Sequence, residues 1–211
     1  MIHTDEMIKE TTRLENFSDG VFAIVITLLA LELKIPDDIS AENLGEVLLE
    51  RWPSYISFFI SFFSVLIMWV NHHRIFKFIK KADNSFIYLN GLMLCIVSIV
   101  PFTTALVSGY FNTSASSLVQ AVYAGQFILI NISFNWLWYV VRKHKTVVLS
   151  AANKKIVSRM TLAYAIGFPG YLLAMGMAFI SPMLSMMVCF MLWICWAVAM
   201  INVKTKEDIV Q

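Results

Sequence analysis

Of the 211 residues, 59% are hydrophobic and only 14% are charged, whereas a soluble fold is usually under half apolar and about a quarter charged. That excludes a water-soluble globule, whereas the formal net charge of +2 says little because it hides an uneven distribution of charge along the chain. Three cysteines, Cys95, Cys189 and Cys195, all lie inside apolar windows and read as small hydrophobes, so no disulfide framework is expected.

The apolar residues gather into windows of roughly 20, the length that crosses a hydrocarbon core. Spans are predicted at about 17 to 35, 53 to 71, 86 to 107, 118 to 141, 161 to 181 and 183 to 203. Backbone groups find no water inside a bilayer, and none of these runs alternates as a barrel strand would. The expected fold is therefore all-α: a single polytopic domain over residues 1–211 with six transmembrane helices per subunit. The first window follows Arg13, Glu15 and Asp19 and has no small-x-small cleavage site after it, so it is expected to stay in the mature protein.

Taken in chain order, the basic residues give the orientation. Lys9 and Arg13 precede span one, while Arg74, Lys77, Lys80 and Lys81 follow span two. Six more follow span four, and Lys204 and Lys206 end the chain. The opposite side holds only Lys34 and Arg51. Basic residues in short loops stay on the cytoplasmic side, which predicts a multi-pass protein of the cell membrane with both termini cytoplasmic. Topology and lipid headgroups explain the basic residues, and no nucleic-acid partner is expected.

The first outer loop carries Asp37, Asp38, Glu42, Glu46 and Glu50, with room for a short amphipathic helix after a Ser40 cap. An acidic vestibule that concentrates cations and a merely solvated loop explain it equally well. The second outer loop, 108 to 117, is polar and small. The turn at Ser181-Pro182 is so short that spans five and six must form an antiparallel hairpin.

No metalloprotease, phosphate-loop, dinucleotide or nucleophile-elbow pattern occurs, so an enzyme and a bound cofactor are not expected. His72 and His73 are adjacent and point about 100° apart on a helix, which disfavours a shared metal. Span one is different, because it places Asp19 near the membrane boundary, and a carboxylate there normally faces a bundle interior and a partner. On a helical wheel Phe17, Val21, Ile24, Leu28 and Leu31 share a stripe with Thr27 at its margin, while Ser18 and Asp19 lie elsewhere. The available donors for Ser18 and Asp19 are Trp69, Asn71, His72, His73 and Asn90. The stripe is free to face lipid, another helix or its own copies.

Arg13-x-x-x-Phe17-Ser18-Asp19 followed by the apolar run to Ile24, Trp69-Val-Asn-His72-His73-Arg74-Ile-Phe76, and Leu89-Asn90 leading to Val100-Pro101-Phe102-Thr103-Thr104 together cover the first half of the chain. In these motifs the sequence resembles the lysosomal and endosomal potassium channels of the transmembrane protein 175 family, in a bacterial single-repeat form. The resemblance implies a homotetramer with an axial pore lined by span one, and it implies passive potassium conduction without a carbonyl filter. It assigns the apolar constriction to Ile24, with Leu28 and Leu31 above it, and the pore-side threonine to Thr27, so potassium would pass close to Ile24 and Thr27. Arg13, Phe17, Ser18 and Asp19 would hold the helix against spans two and three. The competing expectation is a proton- or cation-coupled transporter in which Asp19 and His72 or His73 form a relay.

Overall fold

The computed structural model describes residues 2–35, 40, 42–79, 82–143 and 154–201, and every regular element among them is an α-helix. In chain order they are α1 (Ile2–Ala30), α2 (Leu44–Glu50), α3 (Trp52–Phe76), α4 (Asn84–Val97), α5 (Val100–Tyr110), α6 (Ser116–Lys143), α7 (Lys154–Met177) and α8 (Pro182–Ile201). Among the described residues four segments are long and apolar enough to cross a membrane: Trp52–Phe76, Asn84–Tyr110, Ser116–Lys143 and Val157–Met177. A multi-pass membrane protein follows from these segments alone. The apolar stretch of α8, Pro182–Ala197, is shorter, and in α1 Arg13, Glu15 and Asp19 interrupt the apolar run.

Several predicted boundaries move. The first helix begins long before residue 17 and ends at Ala30 instead of residue 35, and α3 runs on past residue 71 to Phe76. The run 86 to 107 is two helices, broken between Val97 and Val100. Pro101 lacks the N–H that would bond the Val97 carbonyl four residues back, so the chain tightens, with Ile99 N–H donating to Ile96 O. The side-chain amide of Gln126 on α6 also donates to the Ile96 oxygen and supplies a second partner at the break. The short helix of the acidic loop starts after Asn43 with no side-chain cap, not after Ser40. Asp37 and Asp38 lie outside the described residues.

The core forms where α1, α3, α4, α5 and α6 meet, with Phe22, Val65, Met93, Val100 and Phe127 all buried. Hydroxyls join the same helices: Ser61 Oγ lies 2.7 Å from Thr104 Oγ1 and 2.9 Å from Tyr123 OH, and Ser108 donates to Ser54 at 2.6 Å. Where lipid is as apolar as the side chains, such bonds and close backbone approach replace hydrophobic force. Helices α7 and α8 pack together across the turn 178–181 and lie against α6. Gly167 and Gly170 permit that approach: a Cβ on Gly167 would strike the Asn131 amide, and one on Gly170 would sit 2.6 Å from Leu192 Cδ2.

Candidate functional site

Helix α1 has two faces. Ser18, Phe22, Val25 and Leu29, spaced four, three and four apart, are buried against the other helices. On the opposite side Phe17, Ile24, Leu28 and Leu31 remain 63%, 59%, 40% and 60% exposed. The stripe continues past Ala30 because Leu31, Glu32 and Leu33 each donate to the carbonyl three residues back, which tightens the last turn. Beside the stripe the Thr27 hydroxyl donates to the Ile24 carbonyl at 2.8 Å. With its proton committed to its own helix, that oxygen offers outward only lone pairs, the half of a hydroxyl that a cation can use.

Three polar contacts anchor α1 to its neighbours on the other face, and two further bonds brace them. Asn90 on α4 donates its amide to Ser18 Oγ at 2.9 Å, and Ser18 donates in turn to the Leu14 carbonyl at 2.9 Å. The Asn90 oxygen, 2.8 Å from His72 Nε2, can then only accept, so the imidazole proton sits on Nε2. Phe22 and Phe76 flank the His72 ring at centroid distances of 5.3 and 4.6 Å. Trp69 on α3 donates its indole N–H to Asp19 Oδ1 at 2.8 Å, which gives the carboxylate a partner on a neighbouring helix. His73 Nδ1 lies 2.7 Å from Glu15 Oε1 at a partly exposed position, where such a pair contributes no more than about 1 kcal/mol.

The structure thus joins Ser18 and His72 through Asn90 and pairs Asp19 separately with Trp69. It does not bring in Arg13 and Phe17, whose side chains are exposed. The reason is angular: residues 13, 17, 24, 28 and 31 fall along one side of the helix and residues 14, 18, 22, 25 and 29 along another. His73 pairs with Glu15, a residue that sequence reasoning missed although it stands one helical turn before Asp19. Asn71 makes no contact with α1 of this kind, and its amide oxygen is buried without a partner among the described residues. No hydrogen bond joins Asp19 to either histidine among the described residues. No group of three or more His, Cys, Asp or Glu side chains forms a metal cluster there either.

Comparison with known proteins supplies a context for this geometry. The family described as "Endosomal/lysosomal potassium channel TMEM175" matches residues 13–101, the segment that contains α1 from Arg13 onward, α3, α4 and their shared network. A protein of Chamaesiphon minutus named potassium channel is 46% identical over 190 residues, covering 89% of this chain and 94% of its own. One of Streptomyces collinus, also named potassium channel, is 33% identical over 95% of this chain and 98% of its own. The crystal structure of a lysosomal potassium-selective channel TMEM175 homolog from Chamaesiphon minutus superposes with a TM-score of 0.81 at 45% identity, over 90% of this chain and 97% of that one.

Proposed function

The chain belongs to the TMEM175 channel family, and on that premise we propose that it is a potassium-permeable channel. Its relatives are channels, not enzymes. In this reading four copies of a six-span subunit, with both termini in the cytoplasm, surround an axial pore lined by α1. The two spans beyond the four long apolar segments are α1 and α8. Helix α1 can cross despite its charges because Asp19 has Trp69 as a partner on its inner face. The fourteen-to-two division of Lys and Arg between alternating loops supports the orientation.

One observation carries the proposal: the face of α1 opposite the Ser18–Asn90–His72 network is an apolar stripe that its own subunit leaves uncovered. The network fixes the rotation of α1, so the stripe has a defined direction. Four such stripes about an axis form rings at Leu31, Leu28 and Ile24. A ring of Ile24 narrow enough to expel water closes the path by dewetting, and a small rotation of α1 opens it. Potassium passing that ring sheds part of its hydration, and Thr27, with its lone pairs facing outward, offers replacement oxygens next to the constriction. Membrane lipid covers the outer helices.

The coupled-transporter reading draws less support, because Asp19 is bonded to an indole, His72 to Asn90 and His73 to Glu15, three separate pairs instead of a relay. Purified protein reconstituted in a planar bilayer tests the proposal. Unitary current steps carried by potassium are expected; flux without unitary steps indicates a carrier, and no flux at all removes both.

A further inference from the structure

Helices α3 and α8 touch through Phe63 and Trp193, whose ring centroids are 5.2 Å apart. Between that contact and the starts of the two helices lies a groove of about 340 Å³. Its lining residues all precede the contact, Ile56 to Ile60 on α3 and Met183 to Phe190 on α8, so the helices run parallel and leave the space on one side of their touching rings. Ile60 and Met186 make the floor, at 5% and 4% exposure, while Ile56 and Phe59 on one wall and Met183 and Met187 on the other remain exposed. Every described residue that lines the groove is apolar. Along α8 it extends for about 10 Å at 1.5 Å per residue.

Helix α3 is long and apolar enough to cross a membrane, so the medium that this groove meets is the interior of a bilayer. Left unfilled, its lining would lose dispersion contacts, and water inside it would find no polar partner. An occupant with a polar group in the groove would give up hydration and gain no hydrogen bond. A further helix, about 10–12 Å across with its side chains, is too thick for a slot whose floor closes between two helices in contact. A hydrocarbon chain is thin enough, and methionine, unbranched and flexible, moulds itself to such a chain. We infer that the groove holds one acyl chain of a phospholipid, with the glycerol and headgroup outside it, beyond the starts of α3 and α8. The chain is gripped on three sides, by a floor and two walls, whereas a chain against a convex helix face is touched on one. The orientation proposed above puts this lipid in the outer leaflet; nothing else in the inference rests on the conduction proposal.

The test is photolabelling of the full chain in phosphatidylcholine nanodiscs that contain phosphatidylcholine with a diazirine at mid-chain, followed by proteolysis and mass spectrometry. Met191 supplies the control: it lies on the same helix outside the groove and is 61% exposed, against 40% for Met183 and 48% for Met187. Labelling of Met183 and Met187 at least fivefold above Met191 is expected, the reverse of what exposure alone would give. Met187→Trp fills the slot and should cut labelling of Met183 at least fivefold while leaving Met191 unchanged. Labelling that follows exposure, with Met191 highest, means boundary lipid only and overturns the inference. Groove residues that stay unlabelled beside a labelled Met191 overturn it too, since another protein surface such as a sister subunit then covers them. An unchanged Met183 in a folded variant has the same force. The comparison of methionines in the parent protein decides the matter even where the variant fails to fold, and no part of it reads ion flux.

Discussion

Asn90 serves two helices with one side chain: its amide nitrogen serves Ser18 of α1 and its oxygen serves His72 of α3. Replacing it by Ala strips both partners at once in a buried setting, and each orphaned group costs on the order of 1–3 kcal/mol. Asn90→Ala should therefore lower the thermal midpoint of the detergent-solubilised protein by several degrees, whereas an unchanged midpoint would mean that the network adds nothing to stability. Ile24 belongs to the opposite face and carries no such load. Ile24→Asn should leave the midpoint near that of the parent and raise basal potassium flux in liposomes, because a polar ring wets where an apolar one expels water. A mutant that conducts no more than the parent rules out Ile24 as the gate. Much of this was legible from helical angles: Ser18 and Asp19 turned away from the apolar stripe, and Trp69 and Asn90 stood among the few donors able to meet them. The His73–Glu15 pair was not, since the reach of two long side chains depends on the register between α1 and α3, which periodicity within one helix does not encode. Phe17 was claimed by both the stripe and the motif, and the wheel angle decides for the stripe.

At the scale of helices, hydropathy locates apolar windows and is blind to breaks inside them. The run from 86 to 107 reads as one span, and the interruption at Val97–Val100 is signalled only by Pro101, a residue that bends some helices and merely starts others. Likewise the apolar window ends at residue 71 while α3 runs on to Phe76, because hydropathy falls at His72 and His73 although tertiary partners hold both in the helix. The glycines of α7 make a sharper test of helix packing. Gly167→Ala should destabilise by about 1–3 kcal/mol, the usual cost of overpacking, because its methyl would displace the Asn131 amide from the Tyr164 carbonyl. Gly176→Ala, at a position where a Cβ meets nothing within 4 Å, should be neutral or stabilising by up to about 1 kcal/mol through helix propensity. Thermal unfolding of the two variants side by side checks the contrast, and equal effects would place α7 wrongly against α6.

For the whole molecule, the proposal makes a single subunit incomplete as a conduit: its helices enclose a core filled by side chains such as Phe22, Val65 and Phe127, and the polar network sits within it. The proposed path for ions lies outside that core, on the uncovered stripe of α1, and exists only when copies assemble. Mass measurement in detergent should therefore give four chains per particle, and a stable monomer with channel activity would refute the axial arrangement. The most direct measurement is cysteine accessibility at position 24. In a background with Cys95, Cys189 and Cys195 replaced by Ser, Ile24→Cys should react with a water-soluble methanethiosulfonate reagent when the channel is open, block potassium flux, and form disulfide-linked subunit pairs on oxidation. A cysteine that reacts only with lipid-soluble reagents, leaves flux intact and never crosslinks would put the stripe against acyl chains and contradict a pore along α1.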